Sequence, residues 1–186
     1  MNDPAIPIQI GTKLIANLFD PQPEELDLDA IIDNLKGQQR FASHPKALSV
    51  YQHTHLVDRL IRLDREHSFD DGSEDLYERV REWARHHDDH EGIIGDIVAP
   101  VKSLISTRTN VLEIVEVKLD RAICIARGIE YPNEIVRGLV HRYDKAAETL
   151  EWVFALGKTL KPFNHPCPDH LFENGASHIQ WARQFT

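Results

Sequence analysis

The chain has 186 residues, 41% of them hydrophobic and 27% charged, which is enough for one domain with a real core. Its formal net charge of -9, spread along the chain rather than gathered in a tail, argues against an extended nucleic-acid surface and against an anionic membrane as partner. Two cysteines, Cys124 and Cys167, are too few for a disulfide framework, and no apolar run approaches the roughly 20 residues that span a bilayer. The start Met1-Asn2-Asp3-Pro4 has neither a basic region nor an apolar signal core, so a reducing cytoplasm is the expected compartment.

In chain order the pattern is almost entirely helical. Ile8-Gln9-Ile10, between Pro7 and Gly11, is the one short strand expected, with no hairpin partner after it. Pro21 and Pro23 mark a turn-rich lead, after which Asp27 or Asp29 caps a helix through Ile31, Ile32 and Leu35 that ends near Gly37. From about Ser49 to Glu66, Leu56, Leu60 and Leu63 recur at helical spacing, and His53 precedes Leu56 on the same inward stripe. Ser73 starts a third helix, with Leu76, Val80, Trp83 and Ala84 on one face and His87 continuing it. Pro100 opens a short segment through Ile105, and Thr109 or Asn110 caps a helix that runs to Gly128. The next helix follows Pro132-Asn133 to near Gly157 and holds Asp144 between Val140 and Ala147 on an apolar flank. A Pro- and His-rich stretch then leads to a last helix from about Ala176 to Gln184. There is no internal repeat and no low-complexity tract.

Three inward polar positions on three helices, His53, His87-Asp88 and Asp144, need a joint explanation, because a buried ionisable group is costly unless it is paired or ligates a metal. Taken singly, each has a plain structural reading: a core histidine on a backbone carbonyl, a chance dipeptide, a salt-bridged aspartate. Their order along the chain is harder to explain that way. His86-His87-Asp88-Asp89-His90-Glu91 also places a Glu three residues after an Asp at a helix end, where imidazole, carboxylate and a water can share one cation.

The block from His87 to Lys102 resembles one written H-D-x-x-E-x-x-x-G-D-x-x-x-P-x-K in the HD-domain phosphohydrolases, and it matches at every fixed position. The likeness is to their small nucleotide-cleaving branch, which includes bacterial 5'-deoxynucleotidases and phage deoxynucleoside triphosphohydrolases. Ser49-Val50-Tyr51-Gln52-His53-Thr54 is similar to that family's first-histidine helix, Arg142-Tyr143-Asp144-Lys145-Ala146 to its final aspartate, and Gln39-Arg40-Phe41 to an upstream Arg-aromatic pair. Gln52 stands where Glu is common, and Asp89 and His90 stand where small residues are usual.

The resemblance implies an all-α fold: a single helical HD-domain bundle over 1–186 with a metal site between helices. It would comprise a lead at 1–25, a core at about 26–157, and a C-terminal loop and helix at 158–186. It implies that His53, His87, Asp88 and Asp144 bind one divalent cation (Zn, Co, Mn, Ni or Fe), which activates water for attack at phosphorus. Glu91 would orient that water or move its proton. Asp96 would assist the leaving oxygen or, with Glu91, hold a second ion such as Mg. Arg40 and Lys102 would meet phosphate, Phe41 would stack on base or ribose, and His44 would join the phosphate site.

The implied activity removes a monophosphate from a deoxynucleotide, or a polyphosphate from a deoxynucleoside triphosphate, with a leaning to dATP. The alternatives are a cyclic-nucleotide phosphodiesterase and a non-catalytic nucleotide sensor. A small-molecule substrate, no nucleic-acid polymer, no membrane and a homo-oligomer are expected, in the host cytoplasm if the chain is phage-encoded. His55, about 200 degrees around its helix from His53, and His86 and His90 are expected to face solvent. His165-Pro166-Cys167-Pro168-Asp169-His170 superficially resembles a structural zinc segment, but it lacks a second ligand pair and its prolines suit a surface loop.

Overall fold

The structure, a computed structural model, describes residues 5–69, 73–159 and 167–186. The Met1–Pro4 start and the His165-Pro166 half of the zinc-like segment lie outside them. In chain order come β1 (Ile8–Ile10), β2 (Lys13–Ile15), a 3-10 turn (Pro23–Glu25), α1 (Leu28–Gly37), α2 (Arg40–Ser43), α3 (Val50–Leu63) and α4 (Arg65–Ser68). They are followed by α5 (Glu74–Ala84), α6 (Glu91–Ile94), α7 (Ala99–Ser106), α8 (Val111–Arg127), α9 (Glu134–Leu150), a π-helical turn (Glu151–Ala155), α10 (Asp169–Phe172) and α11 (Gly175–Ala182). The chain is mostly helical, in keeping with an all-α class. No helix among the described residues is long and apolar enough to cross a membrane.

The elements fall into two compact units, each assembled from two stretches of chain. The first takes Met1–Gln38 and Asp89–Tyr131. Here β1 does have a partner, contrary to expectation: β2 pairs with it antiparallel, Ile8 opposite Ile15 and Ile10 opposite Lys13. Gly11 makes the tight connection with φ +54, and only Ile15 of the second strand is buried, so the apolar signal of that strand was weak. Asp27 caps α1 by accepting from the Ala30 N–H at 3.2 Å, while its other oxygen accepts from the Thr12 N–H and hydroxyl, both at 3.0 Å. One side chain thus ties the hairpin to the helix. On its inner face α1 buries Ile31 and Leu35 and packs on α6.

The second unit takes Gln39–Asp88 and Pro132–Thr186. Its helices α3, α5 and α9 pack on one another, and α11 packs on α3 and on the π-helical turn. The core holds Leu56, Leu60, Ile61, Val80, Val140, Tyr143, Ala147 and Leu150, all 2% exposed or less. Each fully buried aliphatic side chain of this kind stabilises the fold by about 1.5–3 kcal/mol before chain entropy is counted. Ser49 and Gln52 form a capping box at the start of α3: the Ser49 hydroxyl accepts from the Gln52 N–H at 3.2 Å, and the Gln52 side chain accepts from the Ser49 N–H at 3.0 Å. Gln52 therefore serves as half of the cap. Its amide also donates to the Phe185 carbonyl at 3.1 Å. At the other end, α5 stops at Ala84, earlier than its apolar face suggested, and His87 lies in the turn that follows.

Candidate metal centre

Four elements of the second unit converge on a polar cluster. His53 comes from the buried face of α3, and its ring is fully buried. Its Nδ1 lies 2.5 Å from Glu151 Oε1, and its Nε2 lies 3.0 Å from Asp144 Oδ1 and 3.9 Å from Asp88 Oδ2. His87 turns in from the segment after α5, and its Nδ1 donates to the Ala84 carbonyl at 2.8 Å. The His87 Nε2 is buried, makes no hydrogen bond among the described residues, and lies 3.3 Å from Asp88 Oδ2. The two rings stand 5.7 Å apart, centroid to centroid.

Both imidazoles are thus held in the same sense. Each has its Nδ1–H tied to an acceptor, and each turns its Nε2 toward carboxylate oxygen. A hydrogen bond on the second nitrogen fixes tautomer and orientation and is the usual accompaniment of a metal-binding histidine. Metal–donor bonds of about 2.0–2.2 Å place neighbouring donors roughly 3–3.4 Å apart. The separations of 3.0 Å and 3.3 Å agree with that spacing, and the 3.9 Å separation needs a shift of a few tenths of an ångström. His53, His87 and Asp144 can hold one ion, and Asp88 lies within reach as a fourth ligand. A set of two imidazoles and two carboxylates suits a borderline divalent transition metal.

The electrostatics fit as well. Burial pushes the Asp88 carboxyl up, but His87, His53 and Arg40 outweigh it and hold its pKa below the usual carboxylate value. Burial acts the same way on Asp144, where the hydrogen bond to His53 and the nearby charges hold it well below that value. Both are therefore carboxylates, ready as ligands. Burial and the Arg40 charge press the His53 imidazolium down, while Glu151 and Asp144 prevail and raise its pKa to about 9.

Arg40 reaches this cluster from α2. Its guanidinium lies 3.6 Å from Asp88 Oδ2 and 3.4 Å from Glu151 Oε1. The backbone that aims it is unusual: Phe41, Ala42 and Ser43 all have φ between +53 and +61, a left-handed turn with no glycine in it. Each such residue costs about 1–2 kcal/mol, and strain of this kind collects at functional sites. Phe41, half-buried, tilts against Trp152 at 6.0 Å between centroids. His44 only closes a local turn, its Nδ1 accepting from the Lys46 N–H at 3.2 Å, and no hydrogen bond or ion pair joins it to the four ligands.

Glu91, Asp96 and Lys102 belong to the first unit. Glu91 opens α6 and is buried. Gln38 holds this segment at both ends, donating to the Glu91 carbonyl at 3.1 Å and accepting from the Asp96 N–H at 3.0 Å. Between them, a Cβ on Gly92 would stand 2.7 Å from the Ile31 carbonyl oxygen, and Gly95 turns the chain with φ +88. The glycines of the motif thus answer to packing and turn geometry. Lys102 pairs with Glu116 at 2.9 Å. His90, expected to face solvent, is instead buried and lies 2.9 Å from Asp120, whose carboxylate compensates the burial of the ring. His55 and His86 are half-buried rather than fully exposed, and the His55 ring stacks on Phe185 at 4.0 Å.

Glu151 is not among the residues that the sequence pattern singles out. It is fully buried and stands seven residues after Asp144, two helical turns along the same face, which is the one signal that marks it. No family model matches the chain, and no curated protein matches it.

Proposed function

We propose that the chain is an HD-type phosphohydrolase that uses a divalent metal to cleave phosphate or polyphosphate from deoxynucleotides. The observation behind this reading is the paired presentation of His53 Nε2 and His87 Nε2 to two ionised carboxylates, in the chain order that the family likeness requires. When bound, a divalent cation lowers the pKa of a coordinated water and polarises a phosphoryl oxygen. The residues do the rest. Glu151 holds the His53 ring in the ligating tautomer, Ala84 does the same for His87, and Arg40 brings a permanent positive charge that suits an anionic substrate. Phe41 and Trp152 offer aromatic faces for a base. Glu91 takes the role of handling the attacking water's proton, as the motif implies, with Asp96 assisting the leaving oxygen. The substrate leaning toward dATP, a homo-oligomeric state and a cytoplasmic location complete the proposal.

The test is release of phosphate, pyrophosphate or triphosphate by protein loaded with Mn, Co or Zn, across dNMPs, dNTPs, NTPs and cyclic nucleotides. Turnover of a deoxynucleotide is expected. Turnover of cyclic nucleotides alone would make it a phosphodiesterase, and binding without turnover would make it a sensor. Asp88→Ala should lose both bound metal and activity, and retained metal would overturn the ligand assignment. Glu91→Ala should keep metal and lose rate, and an unimpaired rate would remove its role.

A further inference from the structure

We propose that Asp64, His67 and His170 form a second divalent-cation site, zinc by ligand type, which fastens the C-terminal segment to the end of α3. All three residues lie in the second unit, and each offers one ligand atom within 4.8 Å of the others. Asp64 is the anchor, only 1% exposed. Its Oδ2 is fixed by three donors: the Ser68 hydroxyl at 2.5 Å, the Tyr143 hydroxyl at 2.6 Å and the Arg142 guanidinium at 3.2 Å. Its Oδ1 faces two imidazoles, with His170 Nε2 at 2.7 Å and His67 Nδ1 at 3.8 Å.

The two rings stack at 4.5 Å with planes 19° apart, so each would have to turn for both nitrogens to address one ion. A hydrogen bond accounts for His170 but not for His67, which lies too far. One cation would serve both. Zinc bonds of about 2.0–2.2 Å in a tetrahedral set put donors roughly 3.3–3.6 Å apart, between the two separations observed at Asp64, so both rings would shift and turn to close the set. Three donors held on Oδ2 are the outer contacts that orient a ligating carboxylate. Water takes the remaining position on the exposed side, where His67 and His170 are 62% and 40% exposed. Cys167, buried nearby, is not among the three ligand atoms. Of the described part of the zinc-like segment, His170 alone supplies a ligand atom, and Asp64 and His67 supply the others.

This site is independent of the phosphohydrolase reading, and its test separates the two. Full-length protein loaded with zinc and desalted is expected to hold two ions per chain, falling to one in His67→Ala and one in Asp88→Ala. His67 lies on the surface, so its removal leaves the core intact. In His67→Ala the melting temperature should lose part of its response to zinc, while phosphatase turnover is unchanged. Cobalt in the Asp88→Ala chain should show the visible absorption of a low-coordinate site, and His170→Ala should abolish it. A zinc content that His67→Ala and His170→Ala both leave unaltered overturns the proposal, as does an Asp88→Ala chain that retains no metal while its circular dichroism remains native.

Discussion

Glu151 decides which nitrogen of His53 faces the ligand cluster. With the carboxylate 2.5 Å from Nδ1, the ring has one way to lie. Glu151→Ala leaves a buried N–H without its acceptor, a loss of about 1–3 kcal/mol in stability, and should weaken metal affinity by about 10–100-fold. Glu151→Gln keeps one acceptor oxygen and should fall between. Competition with a chelator of known affinity measures this, and an unchanged affinity in the alanine variant would show that the contact does not orient the ligand. His53 and Asp144 stand out in sequence as inward polar residues on apolar stripes, whereas His87 and Asp88 lie in the turn after α5 and are singled out by their pairing and by likeness. Arg40 was legible only through likeness: the left-handed turn that aims it runs over Phe41-Ala42-Ser43, where none of the residues that favour such a turn appears. Glu151 is marked in sequence only by its spacing from Asp144, because its partner His53 lies 98 residues away, beyond the reach of local periodicity.

Among the elements, the helices were legible from period and caps, and the hairpin was not. Asp27, Asn133 and Gly128 stand where a cap is called for: Asp27 and Asn133 accept the N–H three residues on, and Gly128 ends α8 with φ +69. Asp27 also carries a pH signature. The Thr12 backbone N–H, then the Ala30 N–H and the Thr12 hydroxyl, hold its carboxyl below the usual value. A carboxylate whose pKa is depressed in the folded chain adds stability above its unfolded pKa, near 3.9, and that contribution is lost as pH falls through the folded value. Urea unfolding should therefore show Asp27→Asn less stable than wild type at pH 7, with the difference shrinking below about pH 4. A difference that is constant with pH would mean that the charge contributes nothing. His90 and the β1–β2 pair have a common lesson. Both depend on a partner far off in sequence or weak in pattern, Asp120 for the one and Lys13–Ile15 for the other, and local periodicity does not report such partners.

At the scale of the whole molecule, neither unit is a continuous piece of chain. The second draws on residues 39–88 and again on 132–186, so the proposed ligands His53, His87 and Asp88 come from one stretch and Asp144, with Glu151, from the other. A chain broken between Tyr131 and Pro132 should therefore hold no metal at the first centre in either piece and regain it on mixing. Metal analysis after desalting checks this, and metal retained at stoichiometry by the 1–131 piece would contradict the ligand set. The separation of His53 and Glu151, 98 residues, also sets a clock. At synthesis rates of about 5–20 residues per second, roughly 5–20 seconds pass between the making of the histidine and of the carboxylate that orients it. Metal capture at the proposed centre would consequently wait until the second stretch of the unit has been made. The ion would then be chosen by the assembled ligand set rather than by its first imidazole.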